Sequence, residues 1–282
     1  MLSKHIRAFW LNKLTKITTF AMKYPFRMQT ITLEICANGI ESMRIGQAFF
    51  ASRVELCENL EIGGTTPSYG CLQLAAGLKN RPVHVLIKPR GGHYCYSKHE
   101  QEQMLQDIEL VKSMGFEGIV IGALKPGGNL DMQALETFAK AATGLKLIFH
   151  RAIDACNNPL EAIPELINLG FDAVLTSGGF PKACQGVYNI KKMYEKYGTQ
   201  IEVMAGGGIL ASNVIDLLRT TNINAIHLSA KQKLPVPVAW PKGTDQTDAN
   251  MQTHASDPNK IKQLIDQLTS EGYGINESVD KS

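Results

Sequence analysis

Two short segments of the chain repeat one order of apolar, acidic and thiol side chains. Residues 33–36 have the sequence Leu-Glu-Ile-Cys, and residues 54–57 have the sequence Val-Glu-Leu-Cys. Side chains at positions i and i+2 of a β-strand lie on the same face, so each segment presents a carboxylate together with a thiol. If the two strands are neighbours, these groups meet in one patch. That patch is a soft-metal site, an acid–base site or an unusual part of the core.

The same four side chains also have a structural interpretation. Cysteine is among the most buried residue types, so Cys36 and Cys57 are also consistent with small apolar groups in a core. A buried carboxylate needs a partner, and Arg53 shares a strand face with Glu55. The alternative to a functional site is therefore a layer of ion pairs formed by Glu34, Arg53 and Glu55.

The spacing of the cysteines excludes the common zinc-binding and thioredoxin motifs. The six cysteines are at positions 36, 57, 71, 95, 156 and 184. None forms a C-x-x-C pair, so the usual zinc and thioredoxin spacings are absent. Lysines 13 and 16 interrupt the apolar stretch that a secretory signal would need. We therefore expect free thiols in a reducing compartment.

Other reactive residues follow further apolar runs and favour an enzyme as the second hypothesis. Its acid and base groups would be four side chains: Glu34, Glu55, His150 and Asp154. Its anion-binding groups would be two arginines and two glycine-rich turns: Arg90, Arg151, Ser177-Gly178-Gly179 and Gly206-Gly207-Gly208. Backbone N–H groups in such turns bind anions, although the glycines are also consistent with tight turns alone. A Walker loop is excluded because no Gly-Lys-Ser/Thr follows them.

The elements that would position these groups alternate regularly along the chain. Eight β-rich runs are predicted at 31–36, 52–57, 83–88, 118–122, 146–150, 172–176, 201–205 and 225–229. Helical patterns separate them, as at 98–113, where apolar residues recur at helical spacing. Eight such units favour a closed (β/α)8 TIM-type barrel, in which functional groups gather at the carboxyl ends of the strands. An open doubly wound sheet is the alternative, but the Gly-x-Gly-x-x-Gly fingerprint of its dinucleotide-binding version is absent.

The sequence predicts three regions. Residues 1–29 form a basic, flexible N-terminal extension, which is either a targeting leader or an addition before a later start. Residues 30–269 form the barrel as a single domain, with a long loop at 235–258 and a closing helix at 259–269. Residues 270–282 form a disordered tail.

Charge and hydropathy exclude two classes of partner. The net charge is +3, but six of the 29 basic residues lie in residues 1–27, which contain no acid. The remaining chain has 23 basic and 26 acidic residues, so we expect no nucleic-acid surface on the barrel. No run of 18 apolar residues exists, so we expect no membrane span.

At these residues the chain resembles the CutC family of copper homeostasis proteins, over about residues 30–234. The resemblance depends on seven segments in order: Glu34-Ile-Cys36, Arg53-Val-Glu55-Leu-Cys57, Gly63-Gly-Thr-Thr-Pro-Ser68, Pro89-Arg-Gly-Gly92, Phe149-His-Arg-Ala-Ile-Asp154, Leu175-Thr-Ser-Gly-Gly179 and Met204-Ala-Gly-Gly-Gly208. One departure is Lys88, which stands where the family usually has arginine.

The resemblance implies a fold and a function. It implies a TIM-type barrel in the cytoplasm that handles copper, with Cys36 and Cys57 at the positions of the family's proposed Cu(I) ligands. It also implies a homo-oligomer, most simply a dimer. The alternative remains a barrel enzyme that acts on a small anionic or phosphorylated substrate. These two hypotheses predict different barrel mouths, since the first needs an accessible thiol pair and the second a polar pocket.

Overall fold

A computed structural model describes residues 29–235 and 253–276. Within these ranges, eight parallel strands succeed one another around a sheet: β1 (Gln29–Asn38), β2 (Arg53–Cys57), β3 (Val83–Leu86), β4 (Gly118–Ile121), β5 (Lys146–Phe149), β6 (Ala173–Thr176), β7 (Glu202–Gly206) and β8 (Ala225–Leu228). Strand β1 pairs with both β2 and β8, so the sheet closes into a barrel. The predicted (β/α)8 barrel is confirmed, and the open sheet is excluded.

Helices surround the barrel and connect its strands. They are α1 (Gly39–Ala48), α2 (Tyr69–Leu78), α3 (Lys98–Ser113), α4 (Met132–Ala141), α5 (Pro159–Asn168), α6 (Val187–Tyr197), α7 (Val214–Thr221) and α8 (Pro258–Ser270). Helix α3 has the bounds that its apolar spacing predicts. A capping box fixes its start, in which the Ser97 hydroxyl accepts the Glu100 N–H and the Glu100 carboxylate accepts the Ser97 N–H. Helix α8 is the predicted closing helix.

Side chains alternate between the two faces of each strand, so the protein has one apolar core between the strands and the helices and a second inside the barrel. On β1, Leu33 and Ile35 are fully buried against the surrounding helices. The intervening side chains point into the barrel, where Cys36 joins a second, smaller apolar cluster with residues of the seven other barrel strands. Glu34 also lies inside the barrel and is fully buried. The alternation predicted from the sequence therefore directs the reactive side chains inward.

A short antiparallel ribbon lies beyond the last barrel strand. Its strands are β9 (Lys231–Lys233) and β10 (His254–Ser256). The C-terminal end of the predicted 235–258 loop differs from expectation, because His254–Ser256 is a strand and α8 begins at Pro258. Residues 236–252 lie outside the described residues. The ribbon is fixed to the barrel by Ser256, whose N–H donates to the Ser42 hydroxyl at 3.1 Å and whose own hydroxyl donates to the Ser229 carbonyl at 3.0 Å.

The tail that the sequence predicts to be disordered contains a strand. Strand β11 (Tyr273–Ile275) pairs in parallel with Gln29–Ile31, the part of β1 that precedes its pairing with β8. The prediction is wrong for these residues because the start of β1 offers an open edge and Tyr273 is buried there. The predicted extension, except for Gln29, and residues 277–282 lie outside the described residues. In the part of the chain that the structure describes, no helix has the length and apolar character needed to cross a membrane.

Candidate functional site

The carboxyl ends of the barrel strands surround a cavity of about 490 Å³. Its wall near β1 and β2 contains Cys36, Cys57 and Glu55, with His227 from β8. The facing wall carries basic and aromatic groups and a glycine turn: Lys88, Tyr94, His150, Arg151, Gly207 and Gly208. The ribbon and α8 add Lys231 and Lys260 at the rim. The cavity is thus at the end of the barrel where such folds carry functional groups.

The two predicted cysteines meet at the floor of this cavity. The Sγ atoms of Cys36 and Cys57 are 3.9 Å apart. In the pairing of β1 with β2, Cys36 lies opposite Glu55 and Cys57 lies opposite Asn38, so the thiols are diagonal neighbours. The hydrogen bond with Cys57, followed by burial and the charge of Glu55, raises the pKa of the Cys36 thiol. Without a cation, this thiol therefore keeps its proton.

Glu55 and His227 complete a group of ligand atoms around Cys36. One such atom from each of Cys36, Glu55 and His227 lies within 4.8 Å of the other two. The Nε2 atom of His227 is 3.4 Å from a Glu55 carboxylate oxygen. Burial raises the pKa of Glu55, and the charge of His227 opposes that shift. The floor of the cavity therefore combines two thiols, an imidazole nitrogen and a carboxylate oxygen.

His227 is a site residue that the sequence did not assign. Barrel closure places β8 beside β1, with His227 opposite Glu34, and the imidazole Nδ1 is 2.6 Å from a Glu34 carboxylate oxygen. Burial alone would lower the pKa of His227, but the hydrogen bond with Glu34 and the charges of Glu55 and Glu34 raise it. His227 could have been predicted from the closed barrel, because closure makes the first and last strands neighbours and so places His227 beside Glu34.

Glu34 lies in a layer of ion pairs beneath the cavity. Its carboxylate accepts a hydrogen bond from Arg53 Nε at 2.6 Å, and Arg53 also pairs with Glu202. Burial favours the neutral acid, yet Arg53 and the hydrogen bonds with His227 and His84 hold the pKa of Glu34 well below its usual range. The predicted ion-pair layer is present, but Glu202 takes the place expected for Glu55. Glu34, predicted as an acid–base group, does not line the cavity.

His150 lines the cavity and has a buried, unpaired N–H group. The imidazole is 5% exposed, and its Nδ1 accepts the Ala152 N–H at 3.2 Å. The proton of the neutral ring is therefore on Nε2, which is buried and has no hydrogen-bond partner among the described residues. Burial, helped by the positive charge of Lys88, lowers the pKa of His150 to about 3. Gly122 makes room for the ring, because a Cβ there would lie 2.5 Å from His150 Cε1.

Of the two basic residues at the end of β3, only Lys88 lines the cavity. Its Nζ donates to the carbonyls of Gly63 and Gly64, each at 3.1 Å, and burial lowers its pKa. Arg90 is directed elsewhere, since its Nε donates to Glu100 at 2.5 Å. The rest of its guanidinium group donates to three backbone carbonyls: Gly91, His93 and Cys95. Arg90 therefore does not line the cavity, and its predicted role in anion binding stays a prediction.

The first predicted anion-binding turn is already filled by a side chain of the protein. The Asp154 carboxylate accepts the N–H groups of Ser177 and Gly179 at 3.0 Å. It also accepts the hydroxyls of Thr176, at 2.5 Å, and Ser177, at 2.8 Å, while the Gly178 N–H donates to Thr176 Oγ1 at 2.8 Å. The backbone turn does bind an anion, but that anion is internal. Asp154 therefore fills this turn and does not line the cavity, and its predicted acid–base role stays a prediction.

Arg151 and the second glycine turn do face the cavity. Arg151 Nε donates to Asp154 at 2.8 Å, and its Nη2 donates to the Ser177 hydroxyl at 2.6 Å. Gly207 and Gly208 have φ values of +104° and +70°, which favour glycine. Gly206 instead belongs to β7, where a Cβ would lie 2.6 Å from Leu175 Cδ1. The structure thus brings Arg151, Gly207 and Gly208 to one corner and leaves Gly206 out.

Comparison with known proteins assigns the family. Residues 31–232 match the sequence profile of the CutC family. The chain belongs to the CutC family. The CutC protein of Pasteurella multocida is 43% identical over 199 residues, which are 71% of this chain and 82% of that protein. The CutC protein of Porphyromonas gingivalis is 39% identical over 242 residues, or 84% of this chain and 97% of that protein. The family predicted from the sequence is confirmed.

Solved structures support the same assignment of family and fold. A crystal structure of CutC from Streptococcus agalactiae, described as a candidate copper homeostasis protein, is similar with a TM-score of 0.67 and 34% identity. The similarity covers 71% of this CutC chain and 99% of the streptococcal one. Phosphoribosyl anthranilate isomerase from Thermococcus kodakaraensis has a TM-score of 0.52 with 12% identity, covering 85% and 99% of the two chains. The latter likeness concerns the barrel fold alone.

Proposed function

We propose that this CutC protein takes part in copper homeostasis by binding Cu(I) between Cys36 and Cys57. The observation that carries the proposal is the 3.9 Å separation of their sulfur atoms. Thiolate–metal bonds of the kind known for zinc are about 2.3 Å long, so two sulfurs on one ion lie at most about 4.6 Å apart. Soft thiolate ligands favour Cu(I), zinc and iron–sulfur clusters, and the copper homeostasis role named for the streptococcal relative favours Cu(I) among these.

The surroundings of the thiol pair support a third ligand. A sulfur separation below the linear limit corresponds to a bent arrangement, which leaves one side of the ion open. His227 Nε2 and a Glu55 oxygen lie on that floor, within 4.8 Å of the Cys36 sulfur. Glu34 holds the other ring nitrogen of His227, as carboxylates commonly do behind a metal-bound histidine. A two-sulfur, one-nitrogen site is therefore the geometry we propose.

The acid–base properties of the site fit a soft cation. The thiolate is the form that binds metal, and the raised pKa of Cys36 means that the ion must displace its proton. A hard cation competes poorly for such a protonated thiol. Free thiols also require a reducing compartment, so we place this activity in the cytoplasm.

The test is a Cu(I) titration under anaerobic, reducing conditions, with a chromophoric Cu(I) chelator as competitor. The wild-type protein should bind one equivalent, and a Cys36→Ser, Cys57→Ser double variant should bind none. A matched control is the Cys156→Ser, Cys184→Ser double variant, because Cys156 is half-buried and Cys184 exposed, and neither lines the cavity. That control should bind as the wild type does. Retained stoichiometric binding without Cys36 and Cys57 would refute the proposal.

A further inference from the structure

One corner of the cavity is built for a negatively charged group and is separate from the thiol pair. We infer that Arg151 and the N–H groups of Gly207 and Gly208 form a binding site for the phosphate group of a small organic molecule. The site gives the cavity a second ligand, which the proposed copper function does not require. It lies at the ends of β5 and β7, whereas the thiols come from β1 and β2.

The guanidinium group of Arg151 is held in place with one nitrogen left over. Its Nε and Nη2 are engaged by Asp154, by the Ser177 hydroxyl and by the Phe180 carbonyl, which lies at 3.2 Å. Its Nη1 has no hydrogen-bond partner among the described residues and lies 3.6 Å from where a Gly207 Cβ would be. Asp154, whose carboxylate fills the neighbouring turn, thus holds Arg151 in a position where its Nη1 group can donate to a second anion.

The backbone beside this donor is also unpaired. The N–H groups of Gly207 and Gly208 donate to no acceptor within residues 29–235 and 253–276, and both residues line the cavity. Unpaired N–H groups of a glycine turn are the usual backbone part of an anion site. The turn after β7 is also one of the places where barrels of this fold bind phosphate.

The charge of the wall favours an anion. Among the described lining residues, four carry basic side chains and only Glu55 is acidic: the basic ones are Lys88, Arg151, Lys231 and Lys260. Lys260 is fixed at the rim, because its Nζ donates to the Lys231 carbonyl at 2.8 Å. Lys182 approaches the turn from outside, with its Cγ 3.2 Å from where a Gly208 Cβ would be.

His150 indicates that the ligand is more than a free anion. Its Nε2–H is a buried donor without a partner in the described structure, and the ring lines the same cavity. A buried donor left unpaired costs free energy, which an acceptor on a ligand would recover. The ligand that satisfies both features carries a phosphate group at the glycine turn and a carbonyl or hydroxyl oxygen at His150.

The first experiment titrates inorganic phosphate into copper-free protein that carries the Cys36→Ser and Cys57→Ser changes, followed by amide NMR. Saturable shifts are expected at Gly207 and Gly208, independent of the thiols. Arg151→Gln should weaken phosphate binding roughly tenfold or more, as loss of a charge-assisted hydrogen bond predicts. Arg219→Gln is the charge-matched control, because Arg219 pairs with Glu271 on the surface and should have no effect.

The second experiment compares glycerol 3-phosphate with inorganic phosphate. The organic phosphate should bind more tightly to the wild-type protein, and the advantage should vanish in His150→Phe, which keeps the ring volume but loses the donor. If Arg151→Gln fails to fold, Gly207→Ala replaces it, with Gly272→Ala as a control at another positive φ, +82° compared with +104°. Absence of shifts at Gly207 and Gly208, or equal weakening by the Arg151 and Arg219 changes, would overturn the inference without touching the copper proposal.

Discussion

At the scale of single residues, the thiol pair and Glu55 were predictable, whereas His227 was not. Alternation along two strands is a local property, so Cys36 and Cys57 could be placed on the inner face from the sequence. The pairing of Glu34 with Arg53 was predicted, but its pairing with His227 depends on β8, which meets β1 only in the closed barrel. The position of Asp154 depends on a turn from a different strand. Such contacts have no signature in local spacing.

The first prediction concerns Glu34. Replacing Glu34 by Gln removes the buried charge that Arg53 and His227 share, and leaves Glu202 as the acidic partner of Arg53 and Glu55 as that of His227. Breaking a buried ion pair from one side costs about 3 to 5 kcal/mol, so the free energy of unfolding in urea should fall by that amount. The control is Glu271→Gln, which breaks the exposed pair with Arg219 and should cost at most about 1 kcal/mol. Equal losses in both variants would argue against the buried layer.

The second prediction concerns His150 and pH. Its pKa is about 3 in the folded protein, compared with about 6.5 when unfolded, so the unfolded chain binds more protons as the pH falls. The buried, neutral imidazole therefore contributes its full share of the free energy of unfolding above pH 6.5. That share is lost as the pH falls toward 3. Between pH 7 and pH 5, the wild type should lose about 2 kcal/mol more stability than His150→Gln. Parallel stability curves for the two proteins would show that the imidazole is not buried in its neutral form.

At the scale of elements, the regular parts were predictable and the additions at the edges were not. The barrel strands and helix α3 follow from apolar periodicity, which each segment carries by itself. Strands β9, β10 and β11 are three residues each and gain their stability from the partner that they meet. The glycine turn at 177–179 was predicted as an anion site, and the anion proved to be Asp154. The local sequence does not show whether an internal carboxylate or an external anion binds the N–H groups of such a turn.

The third prediction concerns β11. Ending the chain after Gly272 removes the buried Tyr273 ring, the pairing with Gln29–Ile31 and the hydrogen bond from Asn276 N–H to the Ile31 carbonyl at 2.8 Å. Burial of one such ring and loss of the strand hydrogen bonds correspond to about 3 kcal/mol. Urea unfolding should show that loss. Ending the chain after Asn276 is the control and should keep the stability, so equal midpoints for both truncations would contradict the strand's role.

At the scale of the whole molecule, closure of the barrel makes the site. The sheet order puts β8 beside β1 and β1 beside β2, so the residues of three strands converge on one floor. The sequence predicted the closed barrel from eight repeated units, and with it the end at which functional groups gather. It did not predict that Lys231 and Lys260, from beyond the eighth strand, would form the rim. Those positions follow from the ribbon and α8, which fold back over the barrel mouth.

The most direct test of Cu(I) binding between Cys36 and Cys57 is X-ray absorption at the copper edge, measured on protein loaded with one equivalent of Cu(I) under anaerobic conditions. We expect two sulfur neighbours, from Cys36 and Cys57, and one nitrogen neighbour, from His227. Replacing His227 by Gln should remove the nitrogen contribution and leave both sulfurs. Copper without sulfur neighbours, or a spectrum unchanged in the Cys36→Ser, Cys57→Ser variant, would contradict Cu(I) binding between these cysteines.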